Sequence, residues 1–324
     1  MESLSNARAG RPKASRCHRP EDTIEIMRIV VLGAGAIGTL YAAKLAAENA
    51  VTLLVRHREQ ADAICRKGVE ITGLEQTSVR VEAATGLDRI EPDTLIVLTT
   101  KVYDNAAAIA PLVDLLRPDS IILCLQNGLR GERLVRDVVG DRCAVLRGIT
   151  EFGVIFVSPG IVTLRAYGPT TIEAGPKSRE LADMFTRCQL RGRVSADIRH
   201  DVWRKLVVNC VINPLTAMTG MEVGWTADPR LDPLKRRIVA ECLAVASHDG
   251  VTFDGDFTRM LNDTYGPSRN LSSMYQDLTN GKRTEIDHMN GAVVELGRQY
   301  GVACPVNASL VAIIKAMEQG PAVS

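Results

Sequence analysis

Met27-Arg-Ile-Val-Val-Leu-Gly-Ala-Gly-Ala-Ile-Gly38 is the stretch whose reading decides the fold. A short apolar, β-branched run from Ile29 to Leu32 ends in Gly33-x-Gly35-x-x-Gly38, and an Ala-rich series of helix formers follows from Thr39 to Glu48. The order is strand, glycine turn, helix. Gly33 permits the tight turn, Gly35 lets a pyrophosphate approach the backbone, and Gly38 lets helix and strand pack closely. The helix N-terminus then presents free N–H groups and the positive end of the helix dipole to phosphates, and Ala36 and Ile37, within the motif, are expected to bind the cofactor with the glycines. Glycine turns also occur in ordinary strand–helix connections. Here both flanking elements are legible, so the segment predicts a dinucleotide site.

The second strand, Val51 to Val55, refines the prediction. An NAD-binding fold places Asp or Glu about 20 residues past the glycines to hold the ribose 2′-hydroxyl. This chain has Arg56-His57-Arg58 there. A carboxylate repels a 2′-phosphate, whereas a guanidinium pairs with it. The expected cofactor is NADP(H) rather than NAD(H), with a solvated basic loop as the alternative reading of the arginines.

The chain's 324 residues suffice for two domains of roughly 100–200 residues each. A net charge of +1 gives no reason to expect a nucleic-acid or membrane partner. The eight cysteines show no CxxC or Cys/His metal spacing and read as buried free thiols of a reducing, cytoplasmic protein. No metal site and no Ser/His/Asp set can be assembled, and His200, His248 and His288 read as structural or surface residues. The longest apolar stretch is broken by Lys44 and is too short to span a bilayer. Residues 1–26 are basic, contain prolines and lack an apolar core. They read as a disordered tail or as residues preceding a start at Met27, with a transit peptide as the alternative.

From 27 to 195 strands and helices alternate: Val79–Ala83, Thr94–Thr100, Ser120–Leu125 and Cys143–Leu146 read as strands, and Asn105–Leu116 and Gly131–Val139 as helices. Gly153–Val157 and Ile161–Ala166 read as a hairpin. This alternation predicts an α/β, doubly wound Rossmann-type domain. After residue 196 helices dominate (Val202–Val211, Leu234–Asp249, Phe257–Asn262, Ser272–Thr279, Glu285–Tyr300, Ala308–Gln319). They predict an all-α substrate domain over 196–320, with the boundary near Val194 to Asp197. The apolar helical domain is compatible with a homodimer.

In an open parallel sheet, ligands bind beyond the carboxyl ends of the strands. Thr99-Thr100-Lys101 and Gln126-Asn127-Gly128 close two such strands. In the helical region Lys205, Asn209 and Asn213 recur every four residues, which puts them on one stripe of a largely apolar helix. Buried Lys and Asn need partners, either backbone groups or a ligand, and the shared stripe favours a ligand. Further on, Thr284 reads as a helix cap with Asp287 in the first turn, Glu285 is open to either a capping or a functional role, and Asn290-Gly291 marks a close helix crossing.

Taken together, Gly33-x-Gly35-x-x-Gly38, Thr100-Lys101, Gln126-Asn127-Gly128, Lys205-Leu-x-x-Asn209-x-x-x-Asn213-Pro-Leu-Thr and Ser272-Ser-Met-x-Gln-Asp277 with Thr284-Glu285-Ile-Asp-x-x-Asn290-Gly291 resemble the ketopantoate reductase (2-dehydropantoate 2-reductase) family. The resemblance runs from Met27 to about Gln319. It implies NADPH-dependent reduction of a 2-oxo acid to a 2-hydroxy acid in pantothenate synthesis. It also implies Lys205 as general acid, Glu285 assisting it, and Asn209, Asn213 and Ser273 holding substrate. Lys101 and Asn127 would line the cofactor and substrate cleft, and Arg56 would contact the 2′-phosphate. Two departures bear on the substrate: Ile149-Thr-Glu-Phe-Gly153 replaces a Thr-Thr-His-Gly-like run, and Val223 stands nearest a familiar asparagine. The alternative readings of this chain are an NADPH-dependent reductase of another 2-oxo or 3-oxo acid on the same scaffold, and a non-enzymatic NADP(H) sensor, against which Lys205 and Glu285 count. An opine- or phosphogluconate-type dehydrogenase fits the 272–291 segment poorly.

Overall fold

The computed structural model describes residues 26–320; the segment 1–25, which carries the basic tail, and residues 321–324 lie outside it. Strand β1 (Arg28–Leu32) leads through Gly33 into α1 (Ala36–Leu45), then β2 (Ala50–Leu54) and α2 (Arg58–Lys67). The chain continues through β3 (Val69–Gly73), β4 (Thr77–Val79), β5 (Glu82–Ala84), β6 (Leu95–Leu98), α3 (Asn105–Ile109) and β7 (Ile121–Cys124). Next come α4 (Gly131–Val139), β8 (Ala144–Thr150), β9 (Gly153–Ser158), β10 (Ile161–Ala166), β11 (Thr170–Ile172), α5 (Ser178–Arg187) and β12 (Gly192–Val194).

The main sheet has eight strands in the order β12-β11-β8-β7-β6-β1-β2-β5. All neighbours are parallel except β8 and β11, which run antiparallel. The chain runs outward from β1 on one side through β2 and β5, then returns to place β6 on the other side. A cleft therefore opens beyond the carboxyl ends of β1 and β6. The register aligns Leu32 with Leu54 and Leu98, and Leu98 with Cys124. Gly33, Thr99 and Leu125 thus leave the sheet side by side, each amide donating to the neighbouring strand's last carbonyl.

A second sheet of four strands, β4-β3-β10-β9, packs beside the first. It contains the hairpin expected at Gly153–Ala166, now with β3 paired parallel to β10. The period-two run at Val79–Ala83 does not form one strand. It divides between β4 of the small sheet and β5 of the large one, because the chain crosses from one to the other at Arg80 and Val81. The expected helix Asn105–Leu116 is α3 followed by a tighter 3₁₀ stretch, Ala110–Leu115. Pro111 supplies no amide for a continued helix.

The C-terminal part is helical: α6 (Ile198–Thr219), α7 (Asp232–His248), α8 (Phe257–Tyr265), α9 (Ser273–Thr279), α10 (Asn290–Tyr300) and α11 (Pro305–Gln319). Asp197 caps α6 by accepting from the His200 amide at 3.1 Å, and Gly220 ends it in a left-handed conformation (φ 68°). Pro214 lies inside α6 and has no N–H for the carbonyl of Cys210, one turn back. The Asn290 side chain supplies that bond, Nδ2 to the Cys210 oxygen at 2.9 Å, and also donates to Asn307 Oδ1 at 2.9 Å. Asn290 is fully buried. The crossing read at Asn290-Gly291 is thus a backbone repair that ties α10 to α6 and α11. The helix expected from Glu285 to Tyr300 begins as a 3₁₀ turn, Ile286–His288, and breaks at Met289 before α10 starts. The cap position of that turn is Glu285 and not Thr284; Thr284, one position earlier, accepts from the Ile286 amide through its Oγ1 at 3.2 Å.

Two apolar clusters cover the two faces of the large sheet, and a third fills the helical domain around Trp203, Ile238, Cys242 and Ile314. All seven cysteines among the described residues are free thiols; Cys65 is exposed and Cys143 only partly covered. No helix among the described residues is long and apolar enough to cross a membrane, and no group of residues among them could hold a metal ion.

Candidate active site

A cavity of about 1970 Å³ runs between the carboxyl edge of the large sheet and the helical domain. Gly33, Gly35, Ala36, Ile37, Arg56, Lys101, Asn127, Lys205, Asn209, Asn213, Ser273 and Glu285 all line it. Of the residues assigned in the sequence to cofactor, substrate or catalysis, Gly38 alone sits behind the wall. A Cβ there would come within 1.8 Å of the Gly33 carbonyl oxygen, so its glycine is a packing requirement of α1 against the turn.

The turn fits a dinucleotide. Gly33 has φ +110°, a conformation other residues rarely adopt. A Cβ on Gly35 would meet no atom within 4 Å, so this backbone faces open cleft. Gly35 is the N-cap of α1 and offers no side chain to the first amides, which leaves those of Ala36 and Ile37 available to an anion. At the far end of the cleft Arg56 is 71% exposed and its guanidinium stands 3.2 Å from the Asp104 carboxylate.

The other end of the cavity combines strand ends with helices. Lys205 projects from α6, partly buried, and its Nζ donates to the Thr150 carbonyl oxygen at 2.7 Å. Burial pushes its pKa down to about 8, aided by the buried guanidinium of Arg147 and opposed by the Glu151 and Glu285 carboxylates. Asn209 and Asn213 follow on the same stripe; Asn213 Nδ2 lies 3.4 Å from Met289 Sδ. On α9, Ser272 serves as cap, its Oγ accepting from the Tyr275 amide at 3.2 Å. The neighbouring Ser273 lines the cavity.

Glu285 is 4% exposed. One oxygen accepts from the Val102 amide at 3.3 Å, and the other from Asn127 Nδ2 at 3.3 Å with Lys101 Nζ at 3.5 Å. Lys101 Nζ also donates to Asp277 Oδ2 at 2.6 Å. Burial alone would lower the Lys101 pKa, but the Glu285 and Asp277 carboxylates outweigh it and hold it above the ordinary lysine value. Burial raises the Asp277 carboxyl against the pull of Lys101. Two strand ends of the Rossmann-type domain therefore grip the 277–285 region of the helical domain through one buried ion cluster.

Sequence reading missed three parts of this arrangement. Asp277 sat within a quoted motif without a role. Arg147, 4% exposed, donates through one nitrogen to the carbonyls of Gln126 (2.9 Å) and Gly128 (2.8 Å), fixing the loop that carries Asn127. Glu151 pairs with Arg204 at 2.9 Å on the cavity wall. Only Glu151 had a visible signal, as a departure from the family pattern. Phe152 and Val223, the other departures, both face the cavity.

Residues 29–177 match the family model described as "Ketopantoate reductase PanE/ApbA", and residues 197–318 match its C-terminal counterpart. The 2-dehydropantoate 2-reductase of Pyrococcus horikoshii is 34% identical over 90% of this chain and 98% of its own. That of Vibrio cholerae is 30% identical over the same shares. Among solved structures, the PanE/ApbA family ketopantoate reductase from Ralstonia eutropha superposes with a TM-score of 0.81 at 28% identity, covering 90% of this chain and 98% of that one. A D-mandelate dehydrogenase solved with NADH and anilino(oxo)acetate also gives 0.81, at 25% identity and the same coverage.

Proposed function

The chain belongs to the ketopantoate reductase family, and on that premise we propose that it reduces 2-dehydropantoate to pantoate with NADPH, using Lys205 as the general acid. The observation that carries this reading is the Lys205 amine, shifted toward neutrality and held at the cavity wall facing the carboxyl edge of the sheet.

When bound, NADPH supplies the two electrons and one hydrogen that C2 of the oxo acid gains. The chain's own residues do the rest. The Ala36 and Ile37 amides and the open backbone of Gly35 bind the pyrophosphate, and Arg56 meets the 2′-phosphate. Asn209, Asn213 and Ser273 orient the oxo acid by hydrogen bonds to its oxygens. As C2 is reduced, negative charge grows on its carbonyl oxygen, and Lys205 donates the proton that makes the hydroxyl. A lysine with a pKa of about 8 gives up a proton far more readily than one at the ordinary value near 10.4. Glu285, fixed by the Val102 amide and Asn127, adds to Glu151 in raising the Lys205 pKa and orients the substrate's hydroxyl end. The domain organisation, 27–195 for cofactor and 196–320 for substrate and acid, follows from this division of labour.

A second reading has its own observation. Phe152, Val223, Tyr265 and Leu271 give the substrate end an apolar wall, which suits a 2-oxo acid with an aromatic side chain, the chemistry named for the D-mandelate dehydrogenase. Chromatography of the products from ketopantoate and from phenylglyoxylate, each supplied with NADPH, separates the two. Pantoate as the faster-formed product supports the first reading; mandelate formed faster overturns it in favour of the second.

A further inference from the structure

The cofactor end of the cleft holds a charge arrangement that the linear sequence conceals. The position after β2, where a carboxylate would read the ribose 2′-hydroxyl of NAD(H), is occupied by Arg56. Yet a carboxylate is present. Asp104 reaches the same place from the connection after β6, and its Oδ2 stands 3.2 Å from the Arg56 guanidinium. Both residues line the cavity, together with Leu54, Ala107, Ala108 and Pro111, which form an apolar wall suited to a flat heterocycle. The Asp104 side chain caps no helix amide. Its backbone amide is already used by the Lys101 carbonyl, at 2.9 Å. The Arg56 guanidinium is the partner found for its carboxylate among the described residues.

We infer that Asp104 is a cofactor-selecting residue, supplying across the cleft the carboxylate that β2 lacks, so that the site accepts NADH as well as NADPH. The inference rests on the proposed function above, since it takes the cleft to bind a nicotinamide dinucleotide. With NADH, Asp104 accepts a hydrogen bond from the adenosine ribose and holds Arg56 neutralised beside it. With NADPH, the 2′-phosphate takes Arg56 for itself, and Asp104 is left as an uncompensated like charge near it. Asp104 thus favours NADH and disfavours NADPH, while Arg56 does the reverse. The pair is partly exposed, so solvent screens it and its effect is moderate.

Equilibrium titration of the full-length protein with NADPH and with NADH, followed by nucleotide fluorescence, tests this without turnover. The proteins are wild type, Asp104→Asn, Arg56→Gln and the double variant. Asp104→Asn is expected to tighten NADPH and weaken NADH, raising the NADPH:NADH affinity ratio by about two- to fivefold, a size consistent with a screened charge pair. Arg56→Gln is expected to lower the ratio, and in its background Asp104→Asn tightens NADPH by less. An unchanged or lowered ratio in Asp104→Asn, with wild type binding at least one nucleotide, overturns the role of Asp104 and leaves the proposed function standing. Failure of the wild type to bind either nucleotide overturns both.

Discussion

Lys205 Nζ is bonded to the carbonyl oxygen of Thr150, the last residue of β8, at 2.7 Å. A residue of the helical domain is thereby held against the carboxyl edge of the Rossmann-type sheet. The contact places the amine without neutralising it, because a carbonyl accepts a hydrogen bond but carries no full charge.

The first prediction concerns this amine. A general acid acts in its protonated form. With its pKa lowered to about 8, kcat/KM should stay level below that pH and fall as pH rises through it. Lys205→Ala should lower kcat by about 10²–10⁴-fold and abolish that basic limb. Steady-state kinetics across pH 6–10 (about that span) read both effects. A variant that keeps near-normal turnover removes Lys205 from the acid's role.

Glu285 acts on the same group with the opposite sign. Its carboxylate raises the Lys205 pKa. Glu285→Gln keeps the shape but removes the charge, so the Lys205 pKa should drop further and the basic limb of the profile should move to lower pH. The loss in kcat should be about tenfold or more at neutral pH. A limb that moves upward contradicts the electrostatic coupling.

Two glycines of one motif should fail in different ways. Gly38→Ala drives a Cβ into the Gly33 carbonyl, so backbone must shift, and stability should fall by about 1–3 kcal/mol. Gly35→Ala places its methyl in open cleft. It should leave the melting temperature unchanged and weaken nucleotide binding. Thermal melts and nucleotide titrations of the two variants check the contrast; matching behaviour would refute it.

Asn290 makes a purely structural prediction. Without its side chain the Cys210 carbonyl, deprived of a helical partner by Pro214, is left buried and unpaired. Asn290→Ala should cost about 1–3 kcal/mol in denaturant unfolding. Nucleotide affinity should not change, because Asn290 does not line the cavity. A stability loss below about 0.5 kcal/mol would show that Cys210 finds another partner.

Much of this was legible in the chain because it is encoded locally. The glycine turn, the buried parallel strands and the four-residue spacing of Lys205, Asn209 and Asn213 depend on neighbours within a turn or two. What escaped depends on distant partners. Asp277 acquires meaning only when Lys101, 176 positions away, is folded against it. Arg147 follows a run read as a strand ending at Leu146, and its role appears only when the 126–128 loop is folded against it. The run Val79–Ala83 has a strand's periodicity, and periodicity cannot say that its two ends join different sheets. Asp104 belongs to the same class: proximity to Arg56 arises from strand order and not from spacing.

The measurement that bears most directly on the central claim is the absorbance of NADPH in the presence of purified protein and ketopantoate, with the Lys205→Ala variant in parallel. The predicted result is rapid, ketopantoate-dependent loss of NADPH absorbance in the wild type, reduced about 10²-fold or more in the variant. A wild type that binds NADPH yet shows no ketopantoate-dependent oxidation would contradict the claim.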